Sequence, residues 1–168
     1  MNSKTYDANP TSADYSKLLQ SFKQATAHIG IIGMGYVGLP LAIAAIRGGF
    51  RTTGFDVDPA KIDDMDAVII CVPTPLSDDH GPDLSYIVSS TDVIAKHLRA
   101  GQLVTLESTT YPGTTAEVMR PILEQGGLKS GRDFYLAYSP EREDPGNRTH
   151  DTQTIPKVVC GDGAQALE

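Results

Sequence analysis

The chain has 168 residues, of which 40% are hydrophobic and 21% charged, a composition typical of one globular domain and not of a disordered chain. Fourteen Lys and Arg against 21 Asp and Glu give a net charge of −7, and no basic cluster stands out, so nucleic acid and anionic membranes are excluded as expected partners. A negatively charged small ligand therefore needs local backbone donors, because the overall field of the protein repels it.

The N-terminal residues lack the apolar stretch of a secretory signal, and no run reaches the ~18–20 apolar residues of a membrane span. The two cysteines, Cys71 and Cys160, lie far apart and match no metal or redox spacing. Cys71 falls within an apolar run, so we interpret it as a small buried strand residue and not as a reactive thiol. These features predict a protein of a reducing compartment, the cytoplasm.

The first half of the chain reads as an N-terminal extension followed by alternating strands and helices. Residues 1–25 are predicted to be an extension with a short helix beginning near Ser12, and residues 26–168 a single domain. The predicted elements in this half are a strand over His28–Ile32, a helix over Leu39–Ile46, a strand over Arg51–Asp56 and a buried strand over Ala67–Val72.

The second half continues this alternation. A helix begins after Asp83 and ends before Gly101, and a second helix over Thr114–Gln125 is interrupted by Pro121, which cannot donate a helical hydrogen bond. Strands are predicted over Gln102–Leu106, Phe134–Tyr138 and Lys157–Cys160. Alternating strands and helices predict an α/β fold of the Rossmann type, a doubly wound parallel sheet covered on both faces.

The strongest functional signal is Gly33-x-Gly35-x-x-Gly38, placed between a strand and a helix. In dinucleotide-binding folds the first glycine permits the tight turn, the second lets backbone approach a pyrophosphate, and the third lets helix and strand pack closely. The helix N-terminus adds unpaired N–H groups, which overcome the repulsion expected from an acidic protein. Asp56 follows at a strand end, where a carboxylate binds ribose hydroxyls and repels a 2′-phosphate, so NAD is predicted over NADP.

Three further loops follow predicted strands and so lie at the same edge of the sheet. Cys71–Leu76 is stiffened by two prolines and offers the Thr74 hydroxyl, and Glu107–Thr115 is rich in hydroxyl side chains. Ser139–Asn147 contains Glu141, which is placed where a general base can act. Taken alone, the first loop is better explained as an ordinary loop and the third as a solvated surface, and the second is also explained as a helix-capping segment.

The acidic stretch with Asp78, Asp79 and His80 is interpreted as a solvated loop, and no metal site is predicted. From the residues alone the sequence indicates an NAD-binding domain of dehydrogenase type without identifying a substrate.

Together, the Gly33–Ala42 turn and the three loops, in this order, resemble the UDP-glucose/GDP-mannose dehydrogenase family over roughly residues 26–165. Gly-Leu-Pro-Leu-Ala and Ser-Pro-Glu-Arg-Glu-Asp-Pro-Gly-Asn look most like the branch that oxidises UDP-N-acetylhexosamines. UDP-glucose 6-dehydrogenase is the nearer alternative, whereas a small β-hydroxyacid dehydrogenase shares only the glycine turn.

The resemblance implies a role in polysaccharide biosynthesis through two successive NAD-dependent oxidations of a sugar C6 alcohol. These pass through an aldehyde and a cysteine-bound thioester to a carboxylate. The resemblance also implies that Thr109 and Glu141 position or activate the water that hydrolyses the thioester. The cofactor-binding residues that it implies are Gly33, Gly35, Tyr36, Val37 and Gly38 at the pyrophosphate, Asp56 and Lys61 at the adenosine ribose, and Thr74 and Thr109 on the nicotinamide side.

The sequence departs from the family in two ways. It ends at Glu168, so the central helical dimerisation region and the C-terminal sugar-binding domain, with the nucleophilic cysteine, are expected to be absent. We therefore expect the isolated chain to be inactive and the UDP-sugar to be bound only by the full-length enzyme. A homodimer is expected to form only when the central helix is present. A non-catalytic nucleotide-binding module is the alternative from another functional class, and the sequence does not identify the UDP-sugar.

The second departure lies between Lys61 and Ala67, where the family has a further helix, loop and strand of some tens of residues. Residues 59–66 span at most about 26 Å when extended at ~3.3 Å per residue, which just reaches across the sheet but leaves no room for a crossover helix of ~10–12 residues. The segment is either deleted or omitted from the sequence. We favour omission, because losing an edge strand and its covering helix exposes apolar surface.

Overall fold

The computed structural model describes residues 12–55, 62–77, 80–142 and 154–168. Six strands form one sheet in the order β2-β1-β3-β4-β5-β6, in which all neighbours are parallel except β5 and β6. The strands are β1 His28–Ile32, β2 Arg51–Phe55, β3 Ala67–Ile70, β4 Leu103–Leu106, β5 Tyr135–Tyr138 and β6 Cys160–Gly161. The predicted α/β fold of the Rossmann type is confirmed.

The helices lie between the strands much as the periodicity predicts. Asp83 accepts a hydrogen bond from the Ser85 backbone N–H at 2.8 Å, just where α3 begins, and this bond lowers the pKa of the Asp83 carboxyl. The α-helices are α1 Ser12–Lys23, α2 Gly38–Arg47, α3 Ser85–His97, α4 Arg120–Leu123 and α5 Ala164–Leu167.

The predicted helix over Thr114–Gln125 is broken into three pieces, as Pro121 led us to expect. A π-helical segment over Thr114–Met119 leads into α4, and a 3₁₀ turn over Glu124–Gly126 follows. Pro121 stands in the first turn of α4, directly after the π-helical segment, and has no backbone N–H with which to continue the hydrogen bonding of that segment. The proline therefore marks the point at which one helical geometry gives way to another.

Two apolar clusters cover the two faces of the sheet. The larger packs α3 and α4 against β3, β4 and β5, and the smaller packs α2 against β1 through Ala42, Ile29 and Ile31. Helix α1 joins the second face at both of its ends: the Phe22 ring lies 5.9 Å from Phe50, and the Tyr15 ring 5.6 Å from Tyr135.

The link from β2 to β3 crosses β1 in very few residues. Its described part forms one 3₁₀ turn over Ile62–Asp64, and both Ile62 and Met65 are buried in the larger cluster. A side chain at Gly30 in β1 would lie 2.8 Å from the Phe55 ring and 2.9 Å from Met65 Cγ, so glycine makes room for the crossing. The geometry agrees with the expectation that no crossover helix fits.

The last predicted strand is wrong in extent and direction. We expected a strand over Lys157–Cys160 in a parallel sheet, but the strand comprises only Cys160 and Gly161, which pair antiparallel with Tyr138 and Ala137. Lys157 instead extends its side chain to the Glu107 carboxylate, 2.5 Å away, and this contact lies outside any strand ladder. The apolar residues that suggested a strand, Val158 and Val159, are exposed.

A buried glutamine fastens the short link to the rest of the sheet. The Gln102 side chain is fully buried and donates to the Ile62 carbonyl at 3.0 Å and to the Met65 carbonyl at 2.7 Å. Its own carbonyl oxygen accepts from the Arg99 backbone N–H at 2.8 Å. The amide nitrogen of this side chain therefore holds the backbone where the link enters β3, and its oxygen holds the loop between α3 and β4.

We predict that Gln102→Leu lowers the free energy of unfolding by about 1–3 kcal/mol, because it takes from the Arg99 backbone N–H the acceptor that Gln102 supplies and removes one donor each from the Ile62 and Met65 carbonyls. Urea denaturation followed by circular dichroism measures this loss. Gln125→Leu is the matched control, since Gln125 is exposed and its replacement should change stability by less than about 0.5 kcal/mol. Equal effects of the two substitutions would contradict the role assigned to Gln102.

Candidate functional site

The four segments singled out from the sequence begin at one edge of the sheet, where β1, β3, β4 and β5 end; we call it the carboxyl edge. The parallel ladder continues one residue beyond the strands: Cys71 N–H donates to the Ile32 carbonyl, Glu107 N–H to Ile70 and Ser139 N–H to Leu106, at 2.8, 2.8 and 3.0 Å. Gly33, Cys71, Glu107 and Ser139 therefore form a row along this edge, and each opens one of the four segments.

The glycine turn is held by backbone contacts that leave no room for side chains at two of its three glycines. Gly33 has φ +89°, and a Cβ there would lie 2.6 Å from the Cys71 carbonyl oxygen. A Cβ on Gly38 would lie 1.9 Å from the Gly33 carbonyl oxygen, so this glycine lets the helix start against the strand. A Cβ on Gly35 would meet no atom within 4 Å. Two glycines thus serve packing, and the middle one borders open space.

The helix that follows the turn begins with no competing anion. Its N-cap residue, Val37, makes no side-chain capping bond, and the first turn of α2 contains no acidic residue. A helix N-terminus carries backbone donors and a partial positive charge, which together favour a phosphate group. With the open space at Gly35, this local geometry fits a pyrophosphate. Tyr36 is 68% exposed beside it, and Val37 packs against the smaller apolar cluster.

Side-chain hydroxyls tie the next two loops together at the carboxyl edge. The Thr74 hydroxyl donates to the Thr109 carbonyl at 2.6 Å, and the Ser108 hydroxyl donates to the Val72 carbonyl at 2.8 Å. The Thr109 side chain is exposed above this contact. The structure therefore brings the two predicted nicotinamide-side residues into direct contact.

Charged groups gather at the far end of the row. One carboxylate oxygen of Glu141 accepts from the Arg142 backbone N–H at 2.7 Å, and the other is buried. Glu107 is buried as well, and its carboxylate is paired with the Lys157 ammonium. The Ser139 hydroxyl is also buried and makes no hydrogen bond with the described residues.

Sequence reasoning missed the pair of Glu107 and Lys157. The alternation of side chains along β4 indicated that Glu107 needs a partner. Leu103, Thr105 and Glu107 lie on one face of the strand, and a buried carboxylate there requires a counter-charge. Nothing in the pattern identified the partner, which is 50 residues away.

Several predicted site residues lie outside the described residues. They are Asp56 and Lys61 at the adenosine ribose and the end of the fourth segment, 143–147. Within the described ranges, no group of three or more His, Cys, Asp or Glu is placed to hold a metal ion. In the same part of the chain, every helix is too short or too polar to cross a membrane.

Cys71 lies within the row and is 6% exposed, as the interpretation of a buried strand residue predicts. Burial, together with the neighbouring Glu107 and Glu141 carboxylates and against the opposing Lys157 ammonium, raises the pKa of its thiol to about 12. Each of the first two effects disfavours the thiolate, which is the reactive form.

We therefore predict that the native chain at pH 8 exposes one reactive thiol, that of the exposed Cys160, to a chromogenic disulfide reagent. Unfolding in denaturant should raise the count to two, and Cys160→Ser should leave no fast-reacting thiol in the folded chain. Rapid modification of two thiols in the native state would contradict the burial of Cys71.

Comparison with known proteins places this site in a family. Residues 60–167 match the model of the UDP-glucose/GDP-mannose dehydrogenase family, NAD binding domain, and this range includes the three loops that follow the glycine turn. The UDP-N-acetyl-D-glucosamine 6-dehydrogenase of Pseudomonas aeruginosa is 34% identical over 174 aligned positions, which cover 83% of this chain and 41% of that protein. The UDP-N-acetyl-D-mannosamine dehydrogenase of Pyrococcus horikoshii is 34% identical over 155 aligned positions, which cover 70% of this chain and 37% of that protein.

A solved structure has the same fold. The NDP-N-acetyl-D-galactosaminuronic acid dehydrogenase of Methanosarcina mazei superposes with a TM-score of 0.72 at 27% identity, covering 91% of this chain and 42% of that one. The chain thus spans about two fifths of the length of the relatives that it matches.

The alignment lengths also bear on the short link. The Pseudomonas alignment has 174 positions but includes only 83% of this 168-residue chain, about 139 residues, so about 35 positions are occupied by the relative alone. The Pyrococcus alignment has 155 positions and includes 70% of this chain, about 118 residues. About 37 of its positions are therefore occupied by the relative alone. The relatives are longer within the aligned region by some tens of residues, which is the size expected of the family segment absent between Lys61 and Ala67.

The matched family model, the related sequences and the superposed structure all agree with the row of motif residues at the carboxyl edge. The chain belongs to the UDP-glucose/GDP-mannose dehydrogenase family and contains the NAD binding domain of that family.

Proposed function

We propose that the chain is the cofactor-binding part of an NAD-dependent nucleotide-sugar 6-dehydrogenase that oxidises the C6 alcohol of a UDP-N-acetylhexosamine to the uronate, using two NAD. The observation that carries the proposal is the glycine turn. Gly33 and Gly38 are fixed by backbone contacts, while Gly35 borders open space beside an uncapped helix N-terminus. This arrangement suits a pyrophosphate.

The cofactor would lie along the carboxyl edge. Its pyrophosphate would contact the backbone at Gly35, with Tyr36 and Val37 beside it, and its adenosine ribose would be held by Asp56 and Lys61. Its nicotinamide would extend toward Thr74 and Thr109, whose loops are joined by the hydrogen bond between them. Backbone donors would carry this recognition, which explains how a protein of net charge −7 binds an anionic cofactor.

When bound, NAD supplies the hydride acceptor for the sugar C6 carbon. The residues proposed to act beside it are Thr109 and Glu141, which would position the hydrolytic water and accept its proton. The Arg142 backbone N–H fixes one Glu141 carboxylate oxygen, so the side chain is oriented before any ligand binds. A carboxylate held at this edge of the sheet supports the proposal that Glu141 acts as the general base.

The names of the relatives support a UDP-N-acetylhexosamine as substrate of the whole enzyme, because those matched here are UDP-N-acetylglucosamine and UDP-N-acetylmannosamine dehydrogenases. The resemblance places the nucleophilic cysteine in the C-terminal sugar-binding domain, and neither Cys71 nor Cys160 is assigned that role. We therefore propose that this chain binds NAD but does not turn over a UDP-sugar. A homodimer formed through the central helical region and a cytoplasmic location stay predictions.

Two glycine substitutions separate packing from ligand contact. Gly38→Ala should lower the free energy of unfolding by about 2–4 kcal/mol, because its Cβ would collide with the Gly33 carbonyl. Gly35→Ala should fold with nearly unchanged stability and bind NAD at least about tenfold more weakly, a loss of about 1.4 kcal/mol. Denaturation and isothermal titration calorimetry measure the two effects. Unweakened NAD binding by Gly35→Ala would refute the turn as the pyrophosphate site.

Adding NAD to the unmodified chain should raise its thermal midpoint by several degrees, since saturating ligand at 100-fold its dissociation constant contributes about 2.7 kcal/mol. Subsequent addition of a UDP-N-acetylhexosamine should give no rise in NADH absorbance. The absence of a thermal shift would remove the cofactor proposal. Sustained NADH formation would show instead that the chain contains a complete catalytic site.

A further inference from the structure

The ion pair of Glu107 and Lys157 joins two segments that meet at the carboxyl edge. Glu107 directly follows β4, and Lys157 precedes β6, the antiparallel neighbour of β5. Because Cys160 pairs with Tyr138 in an antiparallel ladder, the chain before Cys160 and the chain after Tyr138 extend beyond the same edge. Lys157 therefore lies beside the residues that follow β5.

The side chains of this pair cross the end of β5. Strand β5 lies between β4 and β6, and neighbouring strands are ~4.8 Å apart, so the two side chains start from backbones about 10 Å apart. The Lys157 ammonium nevertheless reaches the Glu107 carboxylate, at 2.5 Å. Ala137 and Ser139, which line the same cavity as the pair, have small side chains that leave room for this crossing.

Both partners are largely withdrawn from water. Only 11% of the Glu107 side chain and 24% of the Lys157 side chain are exposed. A carboxylate buried to this extent loses most of its hydration and needs a counter-charge in contact with it. The pair is therefore a fixed connection and not an exchangeable contact on the surface.

The segment that Glu107 opens is attached on both of its sides. On the side of β3, the hydroxyls of Ser108 and Thr74 bond this segment to the loop that follows β3, at 2.8 and 2.6 Å. On the side of β5, Lys157 holds the Glu107 side chain. Thr109 lies two residues beyond Glu107, so its position depends on both attachments.

We propose that Lys157 is a positioning residue for the nicotinamide end of the cofactor site. By holding the Glu107 carboxylate across β5, it aligns the backbone that carries Thr109 with the segment that carries Glu141. Lys157 itself would touch neither the cofactor nor the sugar. This inference rests on the proposed function, and it adds a residue that the motifs of the sequence did not indicate.

The two ends of the cofactor site should respond differently when the ammonium is removed. Without Lys157 the buried Glu107 carboxylate has no counter-charge, and it gains hydration by moving towards water, which displaces the residues up to Thr109. The glycine turn lies two strand spacings from Glu107, about 10 Å, and is held by its own backbone contacts at Gly33 and Gly38. The pyrophosphate end should therefore stay in place.

Backbone amide NMR of the full chain with two ligands tests the proposal. ADP-ribose contains the adenosine, the pyrophosphate and the second ribose of NAD but no nicotinamide. In the unmodified chain both ligands should shift the amides of Gly35 and Tyr36, and NAD alone should shift that of Thr109. In Lys157→Met the NAD-induced shift of Thr109 should be lost, while those of Gly35 and Tyr36 persist.

The affinities should show the same division. We expect Lys157→Met to bind NAD about tenfold more weakly and ADP-ribose within about twofold of the unmodified chain. Lys157→Arg keeps a cation beside Glu107 and should restore the Thr109 shift. Lys129→Met is the matched control, because Lys129 is paired with Glu124 at 2.9 Å before β5 begins, at the opposite edge of the sheet, and its loss should change neither affinity.

Circular dichroism and the thermal midpoint establish that each variant is folded. If Lys157→Met unfolds, Glu107→Met replaces it, since it breaks the same attachment without leaving a buried charge, and the same selective loss at Thr109 is expected. Equal losses at Gly35 and Thr109, or an unchanged Thr109 shift, would overturn the proposal. If neither ligand shifts Gly35 in the unmodified chain, the proposed function itself fails, and this inference fails with it.

Discussion

The close approach of three backbone segments at Gly33, Gly38 and Cys71 is the constraint on which the rest of the structure depends. A Cβ on Gly38 would lie 1.9 Å from the Gly33 carbonyl oxygen, and one on Gly33 would lie 2.6 Å from that of Cys71. Strand β1, helix α2 and the end of β3 can meet only because Gly33 and Gly38 lack side chains. The N-terminus of α2 thereby reaches the carboxyl edge beside the open space at Gly35. The same glycine turn therefore determines both the packing of the fold and the proposed binding of the pyrophosphate.

The hydrogen bonds between the parallel strands align the loops that follow the strands along one edge of the sheet. Because each strand end is held to its neighbour by a backbone hydrogen bond one residue beyond the strand, the segments opened by Cys71, Glu107 and Ser139 share one edge. The hydroxyl contact from Thr74 to Thr109 then joins two of the loops. The pairing of Glu107 with Lys157 neutralises one buried carboxylate of an already acidic protein and leaves Glu141 as the carboxylate proposed to act.

Local features of this fold could be predicted from the sequence, and long-range ones could not. Strand β1, helix α2, the glycine turn and the break at Pro121 follow from periodicity and residue chemistry within a few positions. The room made by Gly30 and the ion pair of Lys157 depend on segments that meet only in the folded chain. Residues 157–160 suggested a strand by composition, but pairing with β5 sets its length and direction. Asp56 and Lys61 stay predictions, because they lie outside the described residues.

Backbone amide chemical shifts of the labelled chain, recorded by NMR as NAD is added, show whether the glycine turn is the pyrophosphate site. We predict the largest shifts at Gly35, Tyr36, Val37 and Gly38, with smaller ones at Thr74 and Thr109 along the carboxyl edge. Saturable shifts centred on another surface, or none at NAD concentrations that saturate related dehydrogenases, would contradict it.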